Sequence, residues 1–217
     1  FPTELIIEEN GVRMHVDVAK GQKTGHFLDQ ALNHAAMRKV SEGARVLDCF
    51  THTGGFALHA AKYGASEVEG LDISADAVTL ARRNAALNSF GNCDFRVANV
   101  FDTLTEASRS SKKWDVVVLD PPAFAKSKGA IANAYRGYKE INLRALKCIP
   151  DGGFLVTCSC SQHMAPDLFR AMVAEAADKA GWLTAYAHDV SDHPTPYGCT
   201  PADLDRVLTL VKQAGLT

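Results

Sequence analysis

The stretch ARVLDCFTHTGGFALHAAKYG, residues 44–64, decides the fold. ARVLDCF is a short apolar run of the length of a buried strand, and FALHAAKYG has the apolar spacing of a helix closed by Gly64. Between them lies a turn of small residues, THTGG, whose backbone N–H groups can approach a ligand closely. The Gly54-Gly55 pair is not the G-x-G-x-x-G dinucleotide pattern, and a tight strand–helix turn with no ligand fits it equally well.

Working outward, the alternation repeats. EVEGLDI (67–73) reads as a second strand, and SADAVTLARRNAALNSFG (74–91) as a helix with Ser74 as N-cap and Gly91 beyond its end. DFRVANV (94–100) is a third strand and WDVVVLD (114–120) a fourth, stopped by Pro121-Pro122, which cannot continue a central strand. AYRGYKEINLRALKCI (134–149) is a helix, GGFLVTCS (152–159) a fifth strand, and DLFRAMVAEAADKAG (167–181) a helix after Pro166. WLTAYAHDV (182–190) and DRVLTLVK (205–212) read as two last strands. Alternation of this kind predicts an α/β, Rossmann-like, doubly wound and mostly parallel sheet of seven strands. Upstream, ELIIEENGVRMHVDV (4–18) reads as a β-hairpin around Asn10-Gly11, followed by polar GQKTGHF and a helical LDQALNHAAMRKV. Residues 1–40, hairpin and leading helix, are thus an N-terminal part of the same domain as 41–217.

The chain has 217 residues, enough to bury a core without disulfides or metal. No apolar run reaches the length of a membrane span. Six cysteines show no C-x-x-C framework and read as reduced thiols of a cytoplasmic protein. A net charge of −2 leaves no global basic footprint, so attraction to a nucleic acid has to be local or come from another domain. The first residue is Phe1, which suits a chain preceded by further sequence.

In doubly wound sheets ligands bind at the carboxyl ends of the strands. Asp72 ends the second strand, about 20 residues beyond the glycine turn, the spacing of an acid that accepts hydrogen bonds from ribose hydroxyls. Capping of the helix that follows is the plainer role for it. Together the turn and the acid point to a nucleoside cofactor. The fourth strand ends in DPPAF, where two prolines stiffen the backbone and remove two N–H donors. Such a lip can present Asp120 and nearby carbonyls, with Phe124, to a flat substrate, or it is a rigid turn with Phe124 in the core. The fifth strand runs into TCSCSQHM, with Cys158 and Cys160 two apart. A metal is disfavoured, because only His163 lies nearby to complete a set. The remaining histidines, His15, His26 and His188 among them, suggest no separate site.

FTHTGGF, LDIS, DPPAF and TCSCS resemble the motifs of class I S-adenosylmethionine-dependent methyltransferases. With GQKTGHFLDQ, RGYKEINLRAL and the late Asp192–Pro194 they resemble, more narrowly, the family containing the 23S ribosomal RNA cytosine-5 methyltransferases, from about Glu4 to Val211. The resemblance implies S-adenosylmethionine as cofactor and RNA, ribosomal first, as partner. An upstream RNA-binding domain of the PUA type is implied too, and the oligomeric state stays open, a homodimer included. For the cofactor it implies Gln22, Lys23, Thr24 and Asp29 at the methionine end, and Asp48, Thr53, Gly54, Gly55 and Phe56 in the loop. Asp72 and Ile73 fall to ribose and adenine, with Asn99, Val100 and Asp120 lining the same site. Ala31 stands where the family has arginine, Asn99 where it often has aspartate, and Ala123 where lysine or threonine is more usual.

Carbon 5 of cytosine is a poor nucleophile, so its methylation needs a thiolate added at carbon 6 and later released. The resemblance aligns Cys160 with that nucleophile and leaves Cys158 in the apolar strand; a structural role for Cys160 is the competing one. Asp120 suits the N3/N4 edge of the base. Pro121, Pro122, Phe124, Lys126, Lys128, Arg136, Lys139 and Arg144 are the candidate substrate contacts, the cations for phosphate, with Tyr135 and Tyr138 for stacking. Two rival functions share these motifs: guanine-N7 or other amine methylation, which needs no cysteine, and a cofactor-binding RNA module without activity. A nicotinamide dehydrogenase would share only the glycine turn and Asp72.

Overall fold

A computed structural model of the chain describes residues 3–19, 25–125 and 127–181. Two compact units divide it, Phe1–Ala98 and Asn99–Thr217.

In the first unit the hairpin is present as β1 (Glu4–Glu9) and β2 (Val12–Asp17), antiparallel with Glu9 opposite Val12. Asn10 and Gly11 both have positive φ (51° and 74°), as a two-residue turn of the primed type requires. The expected helix after it is broken into pieces: a 3-10 turn at Leu28–Gln30, α1 (Ala31–Ala36) and a second 3-10 turn at Met37–Lys39. β3 (Arg45–Cys49), α2 (Gly55–Lys62), β4 (Glu67–Asp72), α3 (Ala75–Leu87) and β5 (Cys93–Val97) follow in the alternation the apolar runs predict. The strands are parallel in the order β5-β4-β3, with Asp48 opposite Gly70 and Gly70 opposite Phe95. Ser74 caps α3, its Oγ accepting the Ala77 N–H at 3.2 Å. The core gathers Val46, Leu47, Leu58, Val68, Leu71, Val78 and Phe95, all fully buried.

Two asparagines on α3 tie the hairpin to this unit. Asn84, completely buried, accepts the His15 N–H at 2.8 Å and donates to the Thr53 carbonyl at 3.0 Å. Asn88 accepts the Arg13 N–H at 2.9 Å and returns a bond to the Arg13 carbonyl at 2.6 Å. Side chains thus occupy main-chain groups of β2 that an edge strand would leave open.

The second unit holds α4 (Val100–Ser108), β6 (Val116–Leu119), α5 (Ile131–Lys147), β7 (Phe154–Thr157) and α6 (Pro166–Ala180), with β6 and β7 parallel. All four β6 residues are buried, whereas β7 is half-buried along its length. Pro166 sits in the first turn of α6, where its missing N–H costs nothing. Ile141, Ala145 and Leu146 on α5 and Met172 and Ala176 on α6 are buried.

The described residues therefore supply five parallel strands plus the hairpin, a Rossmann-like α/β fold, in place of seven. The two last expected strands, 182–190 and 205–212, lie outside the described residues, as do Gln22, Lys23, Thr24, Lys126 and Asp192–Pro194.

Candidate functional site

The residues after β3 make an unusual turn. Phe50 and His52 have φ of 65° and 50°, and Gly54 has φ of 94°. For the two non-glycine residues this left-handed backbone is costly and persists only where the surroundings hold it. Here they do. Thr51 donates its N–H to the Leu71 carbonyl (2.9 Å) and its hydroxyl to Asp48 Oδ2 (2.6 Å), and Gly54 donates to the Thr51 carbonyl (2.8 Å). Asp48 Oδ2 also accepts the Ala57 N–H of α2 at 3.0 Å. Only 1% exposed, Asp48 acts as the turn's internal clasp.

Asp72 joins the turn to the end of β4. Its Oδ2 accepts the His52 N–H and its Oδ1 the Ser74 N–H, both at 2.9 Å. Each oxygen keeps lone-pair capacity for a further donor, and the residue is half-buried at the strand end. Beside it Ile73 is 76% exposed, an apolar side chain held out at a strand end, and Val97 at the end of β5 is exposed too. Burial pushes the His52 imidazole below its ordinary range, against the pull of the Asp72 charge. An acid with spare acceptor capacity beside exposed aliphatic carbon suits a ribose followed by a flat base.

The other expected cofactor residues of this unit divide. Thr53 is buried, with its carbonyl taken by Asn84. Phe56 is buried edge-on against the His34 ring at 4.6 Å and belongs to the core. Gly55 has a packing reason: a Cβ there would stand 2.7 Å from His34 Nε2. Asp29 is exposed within the 3-10 turn.

In the second unit, Asn99 is the N-cap of α4, its Oδ1 accepting the Phe101 N–H at 2.9 Å, and Val100 is buried. Asp120 follows β6 directly, half-buried, with Pro121 buried and Pro122 exposed after it. Cys160 is exposed, and its Sγ lies 3.7 Å from the Pro121 carbonyl, the first proline of the stiff lip. Cys158 is half-buried just past β7, its N–H bonded to the Leu119 carbonyl at 2.8 Å. The two thiols thus have different surroundings, with Cys160 the accessible one.

Tyr138 corrects an expectation. It is 0% exposed, so it cannot stack on an incoming base. Its ring packs on Phe124 (centroids 4.5 Å apart) and edge-on to Phe169 (5.4 Å). Its hydroxyl bonds Ser161 Oγ at 2.8 Å and accepts from Ser159 Oγ at 3.0 Å, and Ser161 Oγ also accepts the Ala125 N–H at 3.1 Å. The residues on either side of Cys160 are therefore moored to α5 and to the DPPAF segment through one phenol. Tyr138→Phe leaves the hydroxyls of buried Ser161 and half-buried Ser159 short of a partner, and we expect a loss of about 1–3 kcal/mol in unfolding free energy. Urea denaturation followed by circular dichroism measures it.

Phosphate contacts also look different on the surface. Lys139 pairs with Glu175 of α6, the hydrogen bond to that carboxylate holding its ammonium above the usual lysine range. Arg136 bonds Asn133 on its own helix. Arg144 pairs with Glu140 and donates to the Phe101 carbonyl at 3.1 Å. These cations have partners inside the protein.

A cluster that sequence pattern leaves unremarked lies in the first unit. Glu9, at the end of β1, accepts His26 Nε2 on Oε2 (2.8 Å) and His34 Nδ1 on Oε1 (2.7 Å). His59 of α2 stacks on the His34 ring, centroids 4.9 Å apart. The four residues are separated in the chain by 8 to 50 positions and share no motif spacing, so no local signal announces them.

The strained, acid-clasped turn after β3 and the half-buried acid ending β4 stand at the carboxyl ends of the strands of a Rossmann-like unit, where ligands of such sheets bind. The family model for S-adenosylmethionine-dependent methyltransferases matches residues 2–200, and the chain belongs to that family. It is 46% identical over 199 residues to the ribosomal RNA large subunit methyltransferase I of Aeromonas salmonicida, covering 89% of this chain and 50% of that protein. The protein of the same name from Shewanella denitrificans is 45% identical over 195 residues, with 88% and 49% covered. The chain thus spans about half the length of these relatives. Among solved structures, a methyltransferase complexed with SAH aligns at TM-score 0.76 and 24% identity, over 91% of this chain and 52% of that one. A SAM-dependent methyltransferase from Streptococcus mutans aligns at TM-score 0.73 and 24% identity, over 82% and 47%. These two carry the fold. Among the described residues no helix is long and apolar enough to cross a membrane.

Proposed function

We propose that the protein methylates carbon 5 of a cytosine in large-subunit ribosomal RNA through a transient bond to Cys160. The observation that carries this reading is the exposed Cys160 thiol at the end of β7, moored on both sides and next to the Pro121 carbonyl. The large-subunit ribosomal RNA methyltransferases to which the chain is 45–46% identical support the substrate class.

The residues present fit the family's cofactor. Asp72 would accept the ribose hydroxyls with the capacity its two N–H bonds leave, and Ile73 would cover one face of the adenine. When bound, the cofactor supplies an electrophilic methyl group. Gln22, Lys23, Thr24 and Asp29 remain the candidates for its methionine end. Asn99 would meet the adenine amine only through the second lone pair of an oxygen already capping α4.

The protein's own groups do the rest. The Cys160 thiolate adds to carbon 6 of cytosine, which makes carbon 5 nucleophilic, and leaves after a base removes the carbon-5 proton. Asp120, held at the strand end by the two prolines behind it, bonds the N3/N4 edge and stabilises the adduct. Phe124 offers a half-buried ring in the same segment. A paired cytosine is out of reach, so the target is unpaired or flipped out. Phosphate contacts fall to Lys126 and, once released from their present partners, to Arg136 and Lys139. The half of the relatives' length that this chain does not span is the natural place for further RNA contacts, an RNA-binding domain included.

Methyl-labelled cofactor with unmodified large-subunit RNA, followed by digestion to nucleosides, tests the reading. The expected product is labelled 5-methylcytidine. Labelled methylguanosine would replace it with amine or N7 chemistry, and absence of label would leave a binding module.

A further inference from the structure

Beyond methyl transfer, we infer that Glu9, His34 and His59 form a binding site for one divalent transition-metal ion, zinc by donor type. One potential ligand atom from each of the three residues lies within 4.8 Å of the other two. Glu9 Oε1 is 2.7 Å from His34 Nδ1 and 3.7 Å from His59 Nε2. Tetrahedral zinc with bonds of about 2.0–2.1 Å sets its ligand atoms roughly 3.3 Å apart, so shifts of less than an ångström at each side chain admit the ion.

The state of His59 provides a second and independent reason. Its ring is 0% exposed, and both ring nitrogens face oxygen atoms. Nδ1 lies 2.8 Å from the Gly55 carbonyl one turn back on α2, and Nε2 lies 3.2 Å from the Glu9 carbonyl. A neutral imidazole has one N–H, so it satisfies one of these carbonyls and turns a lone pair on the other. With the proton on Nδ1, bonded to Gly55, the Nε2 lone pair faces the Glu9 carbonyl oxygen at 3.2 Å and stands 3.7 Å from Oε1, an arrangement of lone pairs that only positive charge would join. A metal ion supplies that positive charge.

The surroundings are those of a metal site's outer layer. His26 holds the other oxygen of Glu9 at 2.8 Å, which fixes the carboxylate plane. The Gly55 carbonyl fixes the His59 tautomer in the same manner. Phe56 packs edge-on against the His34 ring, and the missing Cβ of Gly55 leaves room for that ring. Two imidazoles and a carboxylate are the hard-to-intermediate donors that zinc accepts, and a water completes four. With ligands from β1, α1 and α2, the ion would bind as the unit folds and would brace the start of α2.

Cobalt(II), the spectroscopic substitute for zinc, is the probe. Chelator-treated protein is titrated with cobalt chloride, and the visible d–d absorption of tetrahedral cobalt is read. We expect saturation at one equivalent, and displacement by zinc. Glu9→Gln and His59→Asn should each weaken cobalt binding at least tenfold, whereas His15→Asn, outside the cluster, should not. Because a cluster variant can fail to fold, the wild type gives a parallel test: one equivalent of zinc should raise the urea midpoint of chelator-treated protein. No tetrahedral band with an unmoved midpoint would overturn the inference. So would a band that persists unchanged in folded Glu9→Gln and His59→Asn.

Discussion

Replacing Cys160 by alanine should reduce methyl transfer to cytosine by at least about 10³-fold while leaving cofactor binding and stability as they are. Loss of a covalent nucleophile removes the step that makes carbon 5 reactive, and groups that act as one catalytic unit do not compensate for one another. Stability should hold because Cys160 is exposed, and the contacts that moor its loop run through Ser159, Ser161 and Tyr138. Cys158→Ala is the matched control: half-buried and bonded through its main chain, it should lose little activity. Single-turnover label transfer with enzyme in excess over RNA measures both. Unchanged transfer in Cys160→Ala would contradict a cysteine mechanism.

Asp72→Ala carries the second large effect, on the cofactor. Two ribose hydroxyls bonded to a carboxylate contribute about 3 kcal/mol or more together, so the affinity for S-adenosylhomocysteine should fall at least about 10²-fold. Part of the loss is indirect, because the same carboxylate holds the His52 N–H in a turn whose backbone is strained at Phe50 and His52. Asp72→Asn separates the contributions in part: its one carbonyl oxygen can hold a single N–H, so it should bind more tightly than alanine and more weakly than the wild type. Asp76→Asn, at an exposed acid in the first turn of α3, should bind as the wild type does. Isothermal calorimetry with S-adenosylhomocysteine reads all four proteins, and wild-type affinity in Asp72→Ala would remove Asp72 from the cofactor site.

The alternation of apolar runs with helical spacing made β3 to β7 legible, most plainly at β6, whose four buried residues are continuously apolar as a strand covered on both faces must be. Punctuation was legible for the same local reason: Asn10-Gly11, Ser74, Gly64 and Pro166 all act within a few residues of themselves. The leading helix is less regular than its spacing predicts. LDQALNHAAMRKV has the apolar spacing, yet the chain tightens into 3-10 turns at both ends of α1, which periodicity does not register.

Long-range partners were not legible. Tyr138 reads as an aromatic among basic residues, and only the structure shows its hydroxyl committed to Ser159 and Ser161, more than 20 residues on. Asp48 and Asn84 behave likewise, a turn clasp and a hairpin anchor in place of solvent-facing polar groups. The partners of Glu9, His26, His34 and His59 depend on bringing β1, α1 and α2 together, which no spacing encodes.

The most direct test of the central claim is covalent trapping. RNA carrying 5-fluorocytidine at the target should accept the Cys160 thiolate at carbon 6 and the methyl group at carbon 5, and then stall. The carbon-5 position bears fluorine, which cannot leave as a proton does. The account predicts a protein–RNA complex that survives denaturing electrophoresis, needs the methyl donor, and maps by mass spectrometry to the peptide containing Cys160. Methyl transfer to normal RNA with no such complex, or a complex mapping to another residue, would contradict it.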